Sequence, residues 1–225
     1  MLVNNVSLKE TWKIVLVINS PSPSYFPPPN MLINSHNLGI VSHTNKSNMR
    51  PVLSGIYFTD KVSVATDGYR LLEVELPNID ANEYPAYERK EEFEPCIIPA
   101  TAIAKVKTPK NVSLDILKNV HLSSTKERAV LSVTDLETVD RTESRVIDGN
   151  FPAYEKIMPE KDKGISVSLD AKYLKEIADY FAKHEADGAV VIQVTGSEEA
   201  VGFTGPTDAG QKIRGVLMPR RSKDS

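Results

Sequence analysis

The stretch VATDGYRL, Val64 to Leu71, decides the fold class because it places a tight Asp-Gly turn between two apolar runs. An Asp-Gly pair between such runs is a strong signal for a β-hairpin, since glycine accepts the left-handed backbone conformation that the turn requires. Tyr69 and Arg70 follow the turn at once. The hairpin therefore raises a second question, which is whether it supports a surface that binds something.

A similar pattern occurs twice more along the chain. A strand, a Thr-Asp turn and a returning strand can be traced in SVATDGYRLLEVELP, LSVTDLETVDRTESRVID and GFTGPTDAGQKIRGVLMP, with turn aspartates Asp67, Asp135 and Asp208. Aspartate favours such turns because its carboxylate accepts hydrogen bonds from the following backbone, so no catalytic role is needed to explain it. Three copies of one unit is the economical interpretation, and coincidence among Thr-Asp turns is the alternative.

A helix is predicted before each copy. In IIPATAIAKVKTPK, Pro99 suits a first helical turn and is followed by an apolar stripe of Ala102, Ile103 and Val106. In SLDAKYLKEIADYFAKHEADG, the expected cap is Asp170, Gly188 follows the end, and the apolar face consists of Tyr173, Leu174, Ile177, Ala178 and Phe181. The segment NSHNLGIVSHTNK occupies the same place before the first copy, although its residues are weak helix formers. The repeated unit is therefore a strand, a helix and three strands. This predicts an α+β fold with antiparallel sheets and helices packed on one face.

Two segments interrupt the repeats. SPSPSYFPPPN, residues 20–30, contains five prolines, which exclude it from helices and central strands. We interpret residues 1–30 as an N-terminal extension and proline-rich linker that either adds an edge strand or is disordered, with Met31 as an alternative start. NEYPAYERKEEFE, residues 82–94, lacks helix or strand periodicity and predicts a solvated loop.

Composition excludes several classes of protein. The 27 basic and 30 acidic residues give a net charge of -3, which argues against coating nucleic acid by charge alone. A single cysteine, Cys96, cannot form an internal disulfide, so a reducing cytoplasm is the expected location. The chain has no apolar run of the roughly 20 residues that a membrane span needs, so no membrane partner is expected.

The sequence offers no catalytic constellation. His36, His43, His121 and His184 lie apart, with no cysteine or histidine at metal-binding spacing, and no phosphate-binding glycine loop or nucleophile motif occurs. Cys96 precedes an apolar pair and is interpreted as a small buried hydrophobe. The prediction is therefore no enzyme, no cofactor and no metal, with an enzyme of unrelated class as a remote alternative.

Four stretches carry a resemblance to a known family. RPVLSGIYF at 50–58, VATDGYRL at 64–71, IDGNFPAYEKIMP at 147–159 and RGVLMPRR at 214–221 occur in the order found in the bacterial sliding clamp, the β subunit of DNA polymerase III. Residues 31–158 resemble the middle domain of that family, and residues 159–225 resemble only the second half of its last domain. The resemblance implies the DNA clamp fold, built of half-domain repeats. The family's first domain and the first half of its third have no visible counterpart here.

The resemblance also implies a function. Clamps close as a ring around duplex DNA, hold it through its backbone without reading sequence, are placed there by a clamp loader, and tether DNA polymerases and other proteins with clamp-binding motifs. A homo-oligomer is expected if the orphan half-domain pairs with its mate on another chain, and an unstable leftover half is the alternative. The other functional hypothesis is a truncated relative that acts as a soluble decoy or inhibitor of clamp partners without encircling DNA.

Two sets of residues follow from the resemblance. The set implied to bind partner peptides is Leu53, Thr66, Gly68, Tyr69, Arg70, Leu71, Pro152, Lys156, Ile157, Val216, Leu217, Met218 and Pro219. The set implied to face DNA is Lys105, Lys107, Lys110, Lys172, Lys175 and Lys183. Core packing is the alternative for each aliphatic member, and a solvated polar face is the alternative for the lysines. Tyr69 stands where the family usually has histidine, while Arg220 and Ser222 place polar groups at the expected rim.

Overall fold

The computed structural model describes residues 31–47, 49–79, 84–85, 93–109, 112, 114–160, 163–184, 188–207 and 209–220. The chain divides into two compact units, unit 1 ending at Pro152 and unit 2 beginning at Ala153. The boundary expected from the sequence lies slightly later, between residues 158 and 159. The predicted extension and linker at residues 1–30 lie outside the described residues.

Unit 1 contains two copies of a strand, a helix and three strands. The first copy consists of β1 (Met31–Ile33), α1 (Ser35–Gly39), β2 (Gly55–Phe58), β3 (Val62–Thr66) and β4 (Leu71–Glu75). The second copy consists of β5 (Cys96–Pro99), α2 (Ala100–Ile103), β6 (Val120–Ser124), β7 (Arg128–Thr134) and β8 (Val139–Arg145). Short 3-10 helices lie at Ile40–His43, Pro51–Leu53 and Asp115–Lys118. The predicted α+β class and the repeat are both visible in this order.

The two copies exchange their leading strands. Strand β5 pairs with β2 and completes the sheet β4-β3-β2-β5, while β1 pairs with β6 and completes the sheet β1-β6-β7-β8. All these pairings are antiparallel, with Ile98 opposite Ile56 and Ile33 opposite Val120. These four side chains are fully buried in one hydrophobic cluster that draws on both sheets. Each copy therefore depends on the other for an edge strand and for part of its core.

The helices of unit 1 are short and add buried side chains to this cluster. Helix α1 begins at a capping box, in which the Asn34 side chain accepts the N–H of Asn37 and the Asn37 side chain accepts the N–H of Asn34. It buries Leu38, and the next turn buries Ile40. The predicted helix in this weakly helical stretch is confirmed, because capping offsets its low intrinsic propensity. Helix α2 is confirmed with Ala102 and Ile103 buried, although it has no side-chain cap and ends before Val106, which packs on the core from the following residues.

The prediction of a solvated loop at residues 82–94 is wrong at both ends of the stretch. Tyr84 is buried, and its hydroxyl lies within hydrogen-bonding distance of the carbonyls of Asn119 (3.2 Å) and Ser132 (3.4 Å). Phe93 is also buried and forms a parallel bridge with Ser124. Isolated aromatic anchors in a charged segment have no periodicity, so a pattern search passes over them. Residues 82–83 and 86–92 lie outside the described residues.

Unit 2 contains a third copy of the repeat, which has no leading strand among the described residues. A 3-10 helix at Tyr154–Ile157 precedes α3 (Ala171–His184), β9 (Val191–Gln193), β10 (Val201–Pro206) and β11 (Lys212–Leu217), and the three strands form the antiparallel sheet β11-β10-β9. The carboxylate of Asp170 accepts the N–H of Lys172 at 2.9 Å, so the predicted cap is confirmed. The core of unit 2 is a separate cluster built around Phe181, Val201, Phe203 and Leu217.

The apolar face of α3 is narrower than predicted. Leu174, Ile177 and Phe181 contact the core, whereas Tyr173 and Ala178 are exposed. Tyr173 instead lies in a groove beside β11, where its ring stays partly in water. Helical spacing alone marks which residues share a side of the helix, not how wide the opposing layer is.

We predict opposite effects of one substitution at two glycines of unit 1. Gly68 has φ of 96°, a conformation that residues with a Cβ adopt at a cost of about 1 to 2 kcal/mol. Gly39 has φ of -62° at the end of α1, and a Cβ there meets no atom within 4 Å. Gly68→Ala should therefore lower the free energy of unfolding by about 1 kcal/mol, and Gly39→Ala should raise it by up to about 1 kcal/mol. Chemical denaturation of both variants measures this, and equal shifts would contradict the assigned turn geometry.

A second prediction concerns the thiol of Cys96. This side chain is buried in β5, opposite Phe58, and burial raises its pKa to about 11. At pH 8 only about one thiol in a thousand would be ionised, and the thiolate is the reactive form. We expect a thiol reagent to modify Cys96 at the rate at which the protein unfolds, and rapidly in urea. Fast modification of the folded protein would show that β5 leaves its sheet.

Candidate peptide-binding surface

The β3–β4 hairpin ends in a turn that is fixed by side-chain hydrogen bonds. The Thr66 hydroxyl donates to the carbonyl of Arg70 at 2.8 Å and accepts the N–H of Gly68 at 3.1 Å. The Asp67 carboxylate accepts the N–H groups of Tyr69 (2.9 Å) and Arg70 (3.0 Å). Thr66 lies opposite Leu71 in the strand pairing. The predicted hairpin is confirmed, and its four turn residues are held in one conformation.

The same carboxylate orients the arginine. Backbone N–H donation from Tyr69 and Arg70, followed by the Arg70 side chain, lowers the pKa of Asp67 below its ordinary value of 3.8. Arg70 Nε lies 3.0 Å from Asp67 Oδ2, and Arg70 Nη2 lies 3.4 Å from the carbonyl of Ser42. Ion pairs this exposed add little stability. Their effect here is positional, since they hold a guanidinium beside the hairpin tip.

The second copy repeats this turn in detail. Thr134 donates to the carbonyl of Thr138 at 2.7 Å and accepts the N–H of Leu136 at 3.0 Å, while Asp135 accepts the N–H groups of Glu137 and Thr138. Leu136 takes the positive φ, 79°, that Gly68 takes in the first copy. Turn chemistry therefore accounts for both aspartates, as predicted. Asp208, the third, lies outside the described residues.

Three of the resembling stretches adjoin within unit 1. A Cβ on Gly68 would lie 4.0 Å from the Leu53 side chain, and a Cβ on Gly149 would lie 2.7 Å from the Val52 side chain. Further along, Phe151 stacks on Tyr57 with ring centroids 4.9 Å apart. The segment that ends at Pro152 thus runs against the 3-10 turn that also supports the hairpin tip. Sequence separation does not predict this proximity, because it arises from the exchanged strand β5.

Some of the predicted peptide-binding residues are buried in the core, and others are exposed to solvent. Tyr69 (99%), Ile157 (74%), Val216 (68%) and Met218 (64%) are largely in water. Leu53, Thr66 and Leu217 are buried, Leu71 and Pro219 are partly buried, and Gly68, Arg70, Pro152 and Lys156 are exposed. Core packing therefore explains Leu53 and Leu217. It does not explain the four apolar side chains that project into solvent.

In unit 2, the final strand presents two different faces. Ile213 and Leu217 turn toward the core, while Arg214, Val216 and Met218 are exposed. A groove of about 790 Å³ lies between this strand and α3, and its lining includes Tyr173, Tyr180, Val216 and Leu217. The two tyrosines were not predicted as site residues, although their spacing of seven along the helix places both on one side of it. They fall just outside the arc that packs on the core.

The chain after β11 turns back along unit 2. The N–H of Arg220 donates to the carbonyl of Ser168 at 2.8 Å, and Arg220 Nη1 lies 3.7 Å from Asp170 Oδ2. Arg220 therefore remains exposed but has an acidic neighbour within its own unit. Ser222, the other polar departure noted in the sequence, lies outside the described residues.

The predicted DNA-facing lysines are exposed but not all equivalent. Lys105 and Lys107 follow α2, Lys172 and Lys183 lie near the two ends of α3, and Lys110 lies outside the described residues. Lys175 forms an ion pair with Asp179, which raises its pKa. The polar side of α3 also carries Glu176. This side of the helix is therefore mixed in charge, with three lysines against two carboxylates.

Other predicted features concern metals and membranes. His121 is buried beside Tyr84, with ring centroids 6.1 Å apart. Among the residues that the structure describes, no three histidine, cysteine, aspartate or glutamate side chains are grouped in a way that could hold a metal ion. In the same part of the chain, none of the helices is long and apolar enough to cross a membrane.

Comparison with known proteins identifies the fold. No protein-family model and no curated protein sequence matches this chain. Among solved structures, a Pseudomonas aeruginosa DNA polymerase sliding clamp aligns with a TM-score of 0.61 at 19% identity over 87% of this chain and 53% of that one. The C. crescentus beta sliding clamp aligns with a TM-score of 0.58 at 18% identity over 89% and 54%, and the beta subunit from the DNA polymerase of Streptococcus pyogenes with 0.58 at 14% over 90% and 53%.

These alignments confirm the resemblance that the four sequence stretches suggested, at the level of the fold. The chain has the sliding-clamp fold and spans about half the length of the clamps it matches. The identities, between 14% and 19%, carry no residue's role from those proteins to this one.

Proposed function

We propose that this chain is a nonenzymatic, clamp-like protein of DNA replication that binds short peptide motifs of DNA polymerases and repair proteins and holds them on duplex DNA. The proposed place of action is the reducing cytoplasm, where its free cysteine is stable. The observation that carries the proposal is the exposure of Tyr69, Ile157, Val216 and Met218. Exposed apolar side chains beside fixed polar groups are typical of surfaces that bind peptides.

The chemistry of these residues indicates what kind of peptide they would take. In unit 1, Tyr69 offers an aromatic ring for an apolar anchor residue. In unit 2, Val216 and Met218 offer a branched chain and a flexible thioether for another. Arg70 stands beside Tyr69, and Arg214 and Arg220 lie near Val216 and Met218 in the chain, all three exposed. We therefore propose a peptide with two or more apolar anchors and at least one acidic side chain or a free carboxylate, which arginine pairs with well.

The peptide-binding role is tested by paired substitutions. Leu71→Ala together with Met218→Ala should weaken binding of a polymerase-derived clamp-binding peptide at least tenfold, measured by fluorescence anisotropy, because hot-spot side chains each account for about 2 kcal/mol. Val139→Ala is the matched control, since Val139 follows the equivalent turn of the second copy and is not in the proposed site. Griselimycin, bound in a Pseudomonas aeruginosa clamp structure, serves as a second probe. Wild-type protein that binds neither probe at high micromolar concentration would remove the adaptor role.

The DNA-holding role has a separate test. A closed ring should stay on circular duplex DNA through a salt wash and leave when the circle is cut. Lys172→Glu with Lys183→Glu should reduce the slope of log affinity against log salt by about 2, because each lysine that contacts a phosphate contributes about one counterion. Lys61→Glu with Lys126→Glu is the control, since both lie in exposed hairpin turns outside the proposed set.

The mixed charge of α3 favours a second candidate function. Lys175 is already paired with Asp179, so the helix offers phosphates little net positive charge. In this alternative the chain binds clamp partners and sequesters them without encircling DNA. Peptide binding together with release from both circular and linear DNA would favour the decoy, whereas retention on circles alone would favour the ring.

A further inference from the structure

The edge of the unit 2 sheet that is formed by β9 has fewer strand partners than the equivalent strands of unit 1. Strands β2 and β6, the first of the three consecutive strands in their copies, each receive the leading strand of the other copy. Strand β9 holds the same position in the third copy but ends its sheet, whose order is β11-β10-β9. Within the described residues it has β10 alone as a partner. The third copy therefore resembles the first two, but its sheet has three strands where theirs have four.

The strands of the three copies can be aligned residue by residue. The last paired residue before the β10–β11 turn is Pro206, and the last before the β7–β8 turn is Thr134. Phe203 and Leu131 lie the same distance before these two residues, and both are buried. Phe203 and Leu131 both belong to the hydrophobic cores, whereas Val130 and Ser132, on either side of Leu131, do not. This supports the alignment over one shifted by a residue, which would turn one of the two side chains to the other face of its sheet.

This alignment identifies an apolar side chain that is left half uncovered. Ile192 pairs with Phe203, and Leu122 pairs with Leu131, so both lie on the core faces of their sheets. Leu122 is 0% exposed, and Met31 of the exchanged strand β1 lies opposite it. Ile192 is 52% exposed. The difference is what an absent fourth strand would produce.

The chain also contains an unpaired counterpart of the exchanged strands, residues 164–169. In unit 1 the carbonyl of Ile97, in β5, accepts the N–H of Ile147 at 2.8 Å. The carbonyl of Ser168 accepts the N–H of Arg220 at 2.8 Å, and Ile147 and Arg220 both follow the last strand of their copies. Ile97 lies two residues before the cap of α2, and Ser168 two residues before that of α3. Residues 164–169 thus hold the place of β5, yet they form no strand.

A single copy cannot pair this segment with its own β9. The bond between Ser168 and Arg220 places the segment beside the chain that leaves β11, and β11 and β9 are the opposite ends of the sheet. Val167 and Leu169 already pack on the core of unit 2, as the corresponding residues of unit 1 pack on theirs. One edge of the segment is therefore bound to the chain that follows β11. Its other edge could pair only with the β9 of a different molecule.

The charge of the end strands agrees with such a pairing, since the exchanged strands β1 and β5 also lack charged side chains. The strands at the far ends of the three sheets, β4, β8 and β11, all carry charged side chains, among them Glu73, Arg141 and Lys212. Charged residues on edge strands oppose pairing with other chains. Strand β9 reads Val-Ile-Gln, and residues 164–169 read Gly-Ile-Ser-Val-Ser-Leu. Neither has a charge or a proline to oppose pairing.

We infer that two copies of this chain associate through unit 2, each adding residues 164–169 as a fourth, antiparallel strand to β9 of the other. The register follows from unit 1, where Ile97 lies opposite Tyr57. It places Val167 opposite Ile192 and Ser168 opposite Val191 of the second copy. The contact is isologous and closes after two copies, because each partner gives one strand and receives one. The inference rests on the fold and not on the proposed peptide binding.

The first test changes the charge of neighbouring residues on β9. Ile192→Lys would place an ammonium group in the joint core, and we expect it to weaken self-association of the full chain at least tenfold by sedimentation equilibrium. Gln193→Lys adds the same charge on the opposite face of the strand and should leave association unchanged. A wild-type monomer at micromolar concentration, or a dimer that survives Ile192→Lys, would overturn the inference.

The second test reads the register directly. Ser168 and Val191 would form a pair of the closely spaced, non-hydrogen-bonded kind, with Cα atoms about 4.5 Å apart, which a disulfide can span. The double variant Ser168→Cys with Val191→Cys should oxidise to a covalent dimer, whereas Ser168→Cys with Gln193→Cys, shifted by two residues, should do so poorly. Equal cross-linking of both would contradict the register. A chain beginning at Met31 should cross-link as well, and its failure would show that residues 1–30 take part instead.

Neither test involves a peptide or DNA. Loss of peptide binding with association intact would remove the adaptor role alone. Loss of association with peptide binding intact would remove the strand exchange alone. The two ideas therefore fail separately.

Discussion

The exchange of leading strands between repeats is the constraint on which the structure depends. In unit 1 the three consecutive strands of each copy form a four-stranded sheet only with the leading strand of the other copy. Pairing β5 with β2 and β1 with β6 completes both sheets at once and merges their cores. The same exchange brings the segment that ends at Pro152 against the 3-10 turn at Pro51–Leu53. The stability of unit 1 and the arrangement of the site residues within it thus arise from one exchange.

The exchange also explains why the parts of the chain differ in how far the sequence predicts them. The hairpins were predictable, because an Asp-Gly or Thr-Asp turn between apolar runs determines a local structure. Helix α3 was predictable from its cap and periodicity, although the exposure of Tyr173 was not. Tyr84 and Phe93 could not be found, since their burial depends on strands distant in sequence. Contacts between repeats leave no periodic trace within either repeat.

The residues of the candidate site also differ in how far the sequence predicts them. The resemblance named residues at three places in the chain, and the local geometry explains what the turn residues do, since Asp67 fixes the turn and orients Arg70. Whether an aliphatic residue was a core residue or a surface residue could not be decided from sequence, because both uses favour the same residue types. Leu217 and Met218 illustrate this, as neighbours with similar hydrophobicity of which one is buried and the other exposed.

A comparison of the two turns of unit 1 distinguishes the residues that stabilise the turn from those that do not. Thr66 and Thr134 make the same hydrogen bonds, as do Asp67 and Asp135, so selection for a stable turn accounts for both pairs. The first turn differs in carrying glycine at the left-handed position, followed by an exposed tyrosine and an arginine, where the second has Leu136, Glu137 and Thr138. The second turn shows that leucine is tolerated at that position. The fold therefore does not require the Tyr69 ring or the Arg70 guanidinium at this turn, and the proposed peptide binding would account for both side chains.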